Sequence, residues 1–446
     1  MARPVSAAKA AFLRLPRFAQ NVTFTLGSQV AAVLFSVAYN VAIARSIGPE
    51  GKGLYSLAIL APMMLATFTA MNLGAGATYY IGNGKFPARD VAGTVFSACL
   101  GLTLVFGAAY LLLLDKISLL AFRGVSTDLL LVSFFIYPAF MLGIPFNALL
   151  LGRQEIRATA LIDLLRAAAA AALIAGALLF LGAGVKGAVA ATAASFWVGL
   201  FANWAAARRL GETFRPVFRP AIFSEVALYS LKGFAGNVIQ LLNYRLDVFL
   251  INFFLSPLNV GIYSAAVMLA EMIWYVPNAV GYVLFPKISA SDKATADRIT
   301  PQISRISLAI TLAAGTALLA LAPMLIRLLF GERFSAAAAP LHILVPGVIA
   351  LGLTKVLGND LAARGKPEYP AITSALAMTI SATAGVLSIP SYGIAGAAAA
   401  TSFSYCASAL TISLIYKKHT GIGPLSFLLP CREDLELFRG IVRKIF

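Results

Sequence analysis

Apolar runs of roughly 18 to 28 residues, nearly free of charge, recur along the whole chain, and short stretches rich in Gly, Pro, Lys and Arg separate them. Each run is helix length for a bilayer, whereas a barrel strand would show about ten residues of alternating polarity. The pattern predicts an all-α integral membrane protein with twelve spans. They fall at about 22–44, 54–81, 91–114, 129–151, 160–181, 187–204, 226–254, 260–285, 303–330, 340–362, 370–389 and 393–416. Ahead of them, Arg3, Lys9, Arg14 and Arg17 interleave with Phe12, Leu15 and Phe18, the composition of a basic amphipathic segment lying on a membrane surface. Behind them, Leu435, Phe438, Ile441 and Ile445 recur at helical spacing beside Arg439, Arg443 and Lys444, which predicts a second interfacial helix. The expected domains are thus an amphipathic segment at 1–20, a first lobe at 21–204, a basic linker at 205–225, a second lobe at 226–416 and a tail at 417–446.

The runs repeat. Pro49, Gly53 and Tyr55-Ser56 recur at Pro257, Gly261 and Tyr263-Ser264, an offset of 208, and Pro138 matches Pro346 at the same offset. The stretch from Gly184 to Thr192 matches Gly393 to Thr401 at 209, and Gly152 to Glu155 matches Gly365 to Glu368 at 213. Six spans per copy is an even number, so the two copies share one orientation and form parallel six-helix lobes. Proteins of this construction bind substrate between the halves and expose it to each side in turn. Pro62, Pro138, Pro145, Pro277 and Pro346 lie inside spans, where a missing N–H loosens the helix, and are expected bend points.

Composition and charge add orientation. With 60% hydrophobic and 12% charged residues and a mean hydropathy of +0.86, the chain is no ordinary soluble protein. Lys and Arg divide 24 to 6 between the loops of the two sides, Lys52 counting with the six, which places both termini in the cytoplasm. The net charge of +17 then reads as orientation and contact with membrane lipids, with no nucleic-acid partner. The first apolar run starts near Val22 and exceeds signal-peptide length, so no cleavable signal is expected. Cys99, Cys406, Cys431, His342 and His419 have no metal-ligand spacing, and no phosphate-binding loop, dinucleotide fingerprint or nucleophile elbow occurs. No metal, cofactor or enzymatic site is expected.

Ionisable side chains within spans are costly and mark pathways or pairs. On span seven, Lys232, Gly236, Gln240, Asn243 and Asp247 fall within about 80° of one another and form a polar stripe expected to face a water-filled cleft. Arg245 points elsewhere on the same helix and lies at the depth of Glu271 on span eight, so the two are placed to pair. Three readings stay open. Lys232 and Arg245 present positive charge to an anionic substrate, with Gln240, Asn243 and Lys355 lining the same cavity; or Asp247 or Glu271 binds H⁺ or Na⁺; or the charges form a structural pair while Lys232 and Lys355 reach to the interface. Span one is polar but uncharged at Asn21, Thr25, Gln29, Ser36 and Asn40, so the positive field is expected to be weighted toward the second lobe.

Several stretches together resemble the polysaccharide transporter, or oligosaccharide flippase, branch of the multidrug/oligosaccharidyl-lipid/polysaccharide exporter superfamily. They are AIARSIGPEGKGLYS at 42–56, AMNLGAGATYYIGNGK at 70–85, LLLGRQEIRATA at 149–160 and YRLDVFLINFFLSPLNVGIYSAAVML at 244–269. The resemblance covers about residues 20–416 and implies two six-helix lobes in a V-shaped exporter fold. It implies movement of an undecaprenyl-diphosphate-linked oligosaccharide from the cytoplasmic to the outer leaflet of a bacterial inner membrane, alongside a polysaccharide polymerase or other assembly proteins. Many members carry two further helices after the second lobe; this chain shows twelve spans. The alternatives are a cation-coupled small-molecule exporter of the same superfamily, for which Lys232, Arg245 and Lys355 have the wrong sign, and a non-transporting scaffold for polysaccharide assembly.

Overall fold

The computed structural model describes residues 15–211, 216–289 and 291–429. The expected interfacial helix at 435–445 and most of the amphipathic segment at 1–20 lie outside them, as do Arg215 and Cys431. All secondary structure among the described residues is helical. In chain order the helices are α1 Leu15–Ala70, α2 Leu73–Asn83, α3 Ala88–Leu112, α4 Leu114–Leu120, α5 Thr127–Phe134, α6 Ile136–Gly152, α7 Ile156–Ala175 and α8 Gly184–Arg209. They continue with α9 Pro220–Phe254, α10 Pro257–Glu271, α11 Tyr275–Ser289, α12 Lys293–Phe330, α13 Ala338–Ala363, α14 Glu368–Thr420 and α15 Leu425–Leu428. Nine helices among the described residues are long and apolar enough to cross a membrane. Leu104, Val105, Leu112, Phe180 and Leu387 are exposed on them, an apolar surface suited to lipid.

Two of the nine contain a backbone break that divides them. The 44 residues of Gly27–Ala70 would span about 66 Å against a hydrocarbon core of about 30 Å. The helix breaks at Gly48, whose φ of 71° is a conformation that glycine enters without penalty, and Pro49 restarts it. The 53 residues of α14 break in the same way at Gly393, φ 59°. Gly184, 209 residues earlier, opens α8 at φ 56°, so the repeat seen in the residues is also a repeat in the backbone.

One matched stretch shifts in register. The turn after α6 closes with bonds from the N–H groups of Arg153, Gln154 and Glu155, and the turn after α13 with the same three bonds from Arg364, Gly365 and Lys366. The offset is 211 rather than 213, because the equivalent residues are the two in left-handed conformation, Gln154 at φ 61° and Gly365 at φ 81°. Of the expected bend points, Pro138 and Pro277 follow helix interruptions, at Phe135 and at the 3₁₀ turn Met272–Trp274. Each proline removes the hydrogen bond to a carbonyl four residues upstream, which is where the break sits. At Pro62, Pro145 and Pro346 the helix continues.

The chain forms two compact units, Met1–Asn237 and Val238–Phe446. In the first, α1 packs on α7, α8 lies against α6 and α7, and α6 also meets α2 and α3. Val95, Cys99, Tyr137, Met141 and Phe146 form the buried core, which Ile222 and Val226 of α9 join. The opening turns of α9 pack within the first unit, and the contacts divide after Asn237. A Cβ added to Gly76 of α2 would lie 2.3 Å from Ser230 Oγ, so the backbones touch through small residues, as membrane helices commonly do. Arg219 pairs with Asp90 at 3.2 Å, and Lys85 with Glu225. In the second unit α13 packs on α11, α12 and α14. Leu357, Leu361, Ile412, Tyr416 and Phe427 are buried where α15 folds back on it.

Candidate functional site

Charged side chains inside the second unit meet where α9, α10 and α13 come together. Arg245 Nη1 of α9 lies 3.4 Å from Glu271 Oε1 at the end of α10. The 3₁₀ turn then supplies Trp274, and α13 brings Lys355 with its Nζ 4.5 Å from the Trp274 ring centre and 5.6 Å from that of Tyr244. The ammonium also donates to Asn278 Oδ1 at 2.9 Å. An ammonium against aromatic faces is held without neutralising it, so it keeps its attraction for anions. Arg245 is half-buried and a guanidinium has five N–H donors, so one contact with Glu271 leaves most of them uncommitted.

Asp247, two residues along α9, is buried and tied in. Its Oδ2 accepts from the Tyr263 hydroxyl at 2.7 Å, and its Oδ1 from the backbone N–H of Val248 at 2.7 Å. Tyr263 in turn lies 3.5 Å from Thr401 Oγ1. The space among Tyr244, Asp247, Glu271, Trp274, Thr401 and Tyr405 is about 10 Å³, room for one water or small ion at most.

The first unit holds the repeat's counterpart of this arrangement. Tyr55, 208 residues before Tyr263, bonds Thr192 at 2.9 Å just as Tyr263 approaches Thr401, but where the second unit has Asp247 the first has Tyr39. The two hydrogen-bond sets make different predictions. Tyr263→Phe strips a buried carboxylate of one of its two donors and is expected to cost about 1.5–3 kcal/mol, against about 0.5–1.5 kcal/mol for Tyr55→Phe, which loses a bond between neutral groups. Thermal unfolding of the two purified variants checks the difference, and equal losses would mean that Asp247 does not depend on Tyr263.

The sequence-derived residues separate on the structure. Gln240, Asn243, Arg245, Asp247, Glu271 and Lys355 all belong to the second unit, whereas Lys232 belongs to the first, exposed and without a polar partner among the described residues. The polar stripe does not share one environment. Lys232 and Gln240 are exposed, while Asn243 and Asp247 are 6% and 8% exposed and pack inward. Among the described residues Gln240 reaches only Tyr244, at 3.4 Å, and Asn243 Oδ1 is buried without a partner. Arg245, off the stripe, is the more open of the central charges.

Lys52 adds a buried cation to the first lobe, where the expectation weights the positive field toward the second. It was counted with the loops because it follows Pro49 closely, yet the helix restarts at once and carries the side chain inward. It is 2% exposed and donates to Asn40 Oδ1 at 2.9 Å. In the second unit Arg245 and Lys355 are balanced by Asp247 and Glu271, so buried positive charge is not confined to that half. Tyr263, Trp274, Asn278 and Tyr405 escaped the sequence reading because aromatic and amide side chains in an apolar helix look like core. Among the described residues no group of His, Cys, Asp and Glu is placed to hold a metal ion.

Comparison with known proteins adds identity to this geometry. A family model described as "Polysaccharide biosynthesis protein" matches residues 18–291. A protein of Haloferax volcanii named "Probable low-salt glycan biosynthesis flippase Agl15" is 28% identical over 164 residues, 36% of this chain. That match spans only about a third, 35%, of the relative's length. Among solved structures, the lipid II flippase MurJ in its inward closed conformation is similar, with a TM-score of 0.76 at 14% identity over 95% of this chain and 93% of that one. An inward-facing multidrug resistance MATE family transporter of the MOP superfamily gives 0.68 at 15% identity, covering 87% and 94%. At such identities the two structures establish the fold, which is of the MurJ and MATE type.

Proposed function

We propose that this chain, which belongs to the polysaccharide biosynthesis protein family and is a flippase-like transporter of the MOP superfamily rather than an enzyme, carries a saccharide linked to undecaprenyl diphosphate from the cytoplasmic to the outer leaflet of a bacterial inner membrane. The observation that carries this reading is the pair of cations inside the second unit, Arg245 with uncommitted donors and Lys355 against aromatic rings. Guanidinium and ammonium are the usual partners of phosphate oxygens, and the low dielectric of a membrane helix strengthens such a contact. Glu271 holds the guanidinium in place, and Gln240 and Asn243 supply further polar contacts on the same stretch of α9.

The fold is read as twelve spans. The breaks at Gly48 and Gly393 each divide one long helix into two, and α9, interrupted by Lys232, Arg245 and Asp247, adds the twelfth. The spans form two parallel six-helix lobes of a V-shaped exporter with both termini in the cytoplasm, working by alternating access. Asp247 is the residue for H⁺ or Na⁺ coupling, since it is a buried carboxylate beside a space of ion size. Membrane lipids and a polysaccharide polymerase complete the partners.

Deletion of the gene is expected to raise the pool of lipid-linked saccharide on the cytoplasmic leaflet and to lower surface glycan. Leaflet-specific labelling of membrane vesicles measures both. Unchanged surface glycan without accumulation would contradict the reading.

A further inference from the structure

The first unit contains a cavity of about 830 Å³ that has no part in the diphosphate contacts above. We infer that this cavity binds the saccharide of the substrate through Asn147, Asp163, Arg166 and Asn203, a proposal that rests on the reading of the chain as a transporter of lipid-linked saccharides. Its volume is that of a small-molecule site rather than a packing defect. Asp163 and Arg166 stand one turn apart on α7 and both line it, as do Asn147 of α6 and Asn203 of α8.

These four side chains have hydrogen-bonding capacity that the protein does not use. Asn203 Nδ2 donates to the Gly199 carbonyl at 2.9 Å, but its Oδ1 is buried with no partner among the described residues. The Arg166 guanidinium lies 4.9 Å from the Phe196 ring centre and makes no hydrogen bond or ion pair within the described residues, nor does the Asp163 carboxylate. Gly199 makes room for that arginine, since a Cβ there would lie 3.1 Å from Arg166 Cδ. Beside them the stacked rings of Tyr79 and Tyr229, with centres 4.2 Å apart, add flat apolar wall.

The lining selects among ligand classes. A diphosphate calls for more than one cation, as Arg245 and Lys355 offer in the second unit, and this cavity has a single guanidinium with a carboxylate one turn away. An acyl or prenyl chain would strip water from four polar side chains and give no hydrogen bond back. A saccharide suits both features. Its vicinal hydroxyls donate and accept at once, matching planar amide, carboxylate and guanidinium groups, and its C–H face lies against aromatic rings. Position agrees as well. Asn147 is five residues from the end of α6, Asp163 seven from the start of α7 and Asn203 six from the end of α8. All three therefore lie within about 7–11 Å of the helix ends that carry the Lys/Arg-rich loops, the side where the loaded lipid is collected.

The test uses full-length protein in lipid nanodiscs and four probes: geranylgeranyl diphosphate, and the same lipid bearing N-acetylglucosamine, glucose or galactose. Microscale thermophoresis gives each affinity. At least one glycosylated probe is expected to bind tenfold or more tightly than the bare diphosphate. Asp163→Asn, Arg166→Gln and Asn203→Leu are each expected to cut that gain to under threefold while leaving the bare diphosphate's affinity unchanged. Tyr229→Ala, which alters only the aromatic wall, provides a second route should a polar variant fail to fold. No gain from any sugar, or a gain that survives all four variants, overturns the inference. Arg245→Ala separates the two readings. If it weakens the bare diphosphate while no sugar adds affinity, the transport reading stands and the saccharide pocket falls. If sugar adds affinity while Arg245→Ala changes nothing, the pocket stands and the diphosphate role falls.

Discussion

Arg364→Ala is expected to destabilise the second unit by about 3–5 kcal/mol, the cost of removing one partner from a buried charge network. Asp360, on the last turn of α13, is wholly buried, and two groups hold it: Thr300 Oγ1 at 2.7 Å and Arg364 Nε at 2.7 Å. Arg364 also reaches Asp297 of α12 at 2.6 Å, so one guanidinium joins the ends of two helices. Alanine leaves Asp360 buried without its cation. The effect is structural, so denaturant or thermal unfolding of purified protein shows the loss, and Arg364→Ala combined with Asp360→Asn recovers part of it by removing the stranded charge. A loss under about 1 kcal/mol, typical of an exposed pair, would mean that water reaches the network.

Arg245→Ala is expected to lower transport roughly ten- to hundredfold at equal membrane levels of protein. A charge-assisted hydrogen bond contributes about 1.5–3 kcal/mol, and each 1.4 kcal/mol is a factor of ten. Loss of Arg245 also leaves Glu271 without its cation, so Arg245→Ala/Glu271→Gln distinguishes the two roles. If the guanidinium contacts substrate, the double variant stays inactive. If it serves only to neutralise Glu271, activity returns. Asp247→Asn is expected to reduce transport with little change in folding, because the amide oxygen still accepts from the Val248 N–H while the amide NH2 donates to the Tyr263 hydroxyl oxygen. Rates followed at varied external pH and Na⁺ show whether the loss comes with a loss of ion dependence.

The helices were legible because a chain in lipid must satisfy its backbone internally and face apolar tails, which writes most of the long helices as apolar runs, α9 with its charges being the exception. The repeat was legible for a related reason: glycine is needed where φ turns positive, and Gly48, Gly184 and Gly393 mark helix starts in both copies. Identity matching failed at Gln154, where a side chain occupies the left-handed position that Gly365 fills in the other copy. Lys52 was misplaced since charge near a turn ordinarily means a loop, and only the packing of Asn40 against it reveals burial. Long-range pairing was out of reach. Nothing local in Arg219, Glu225 or Tyr229 says that the opening of α9 packs with α2 and α3. The facing of Arg245 and Glu271 followed from depth along two adjacent helices, whereas the seat of Lys355 on Trp274 needs a third. Asp163 and Arg166 had a readable signal, opposite charges one turn apart inside an apolar span, but their meaning depends on Asn147 and Asn203 reaching the same cavity from other helices.

Purified protein reconstituted into vesicles with a fluorescent undecaprenyl-diphosphate saccharide gives the most direct measurement. A membrane-impermeant quencher reports how fast the label moves between leaflets. Movement that requires the protein, falls at least tenfold with Arg245→Ala and ignores a lipid lacking the diphosphate is the predicted result. Vesicles in which the protein binds the lipid yet leaves its leaflet distribution as it is in empty vesicles would contradict the account.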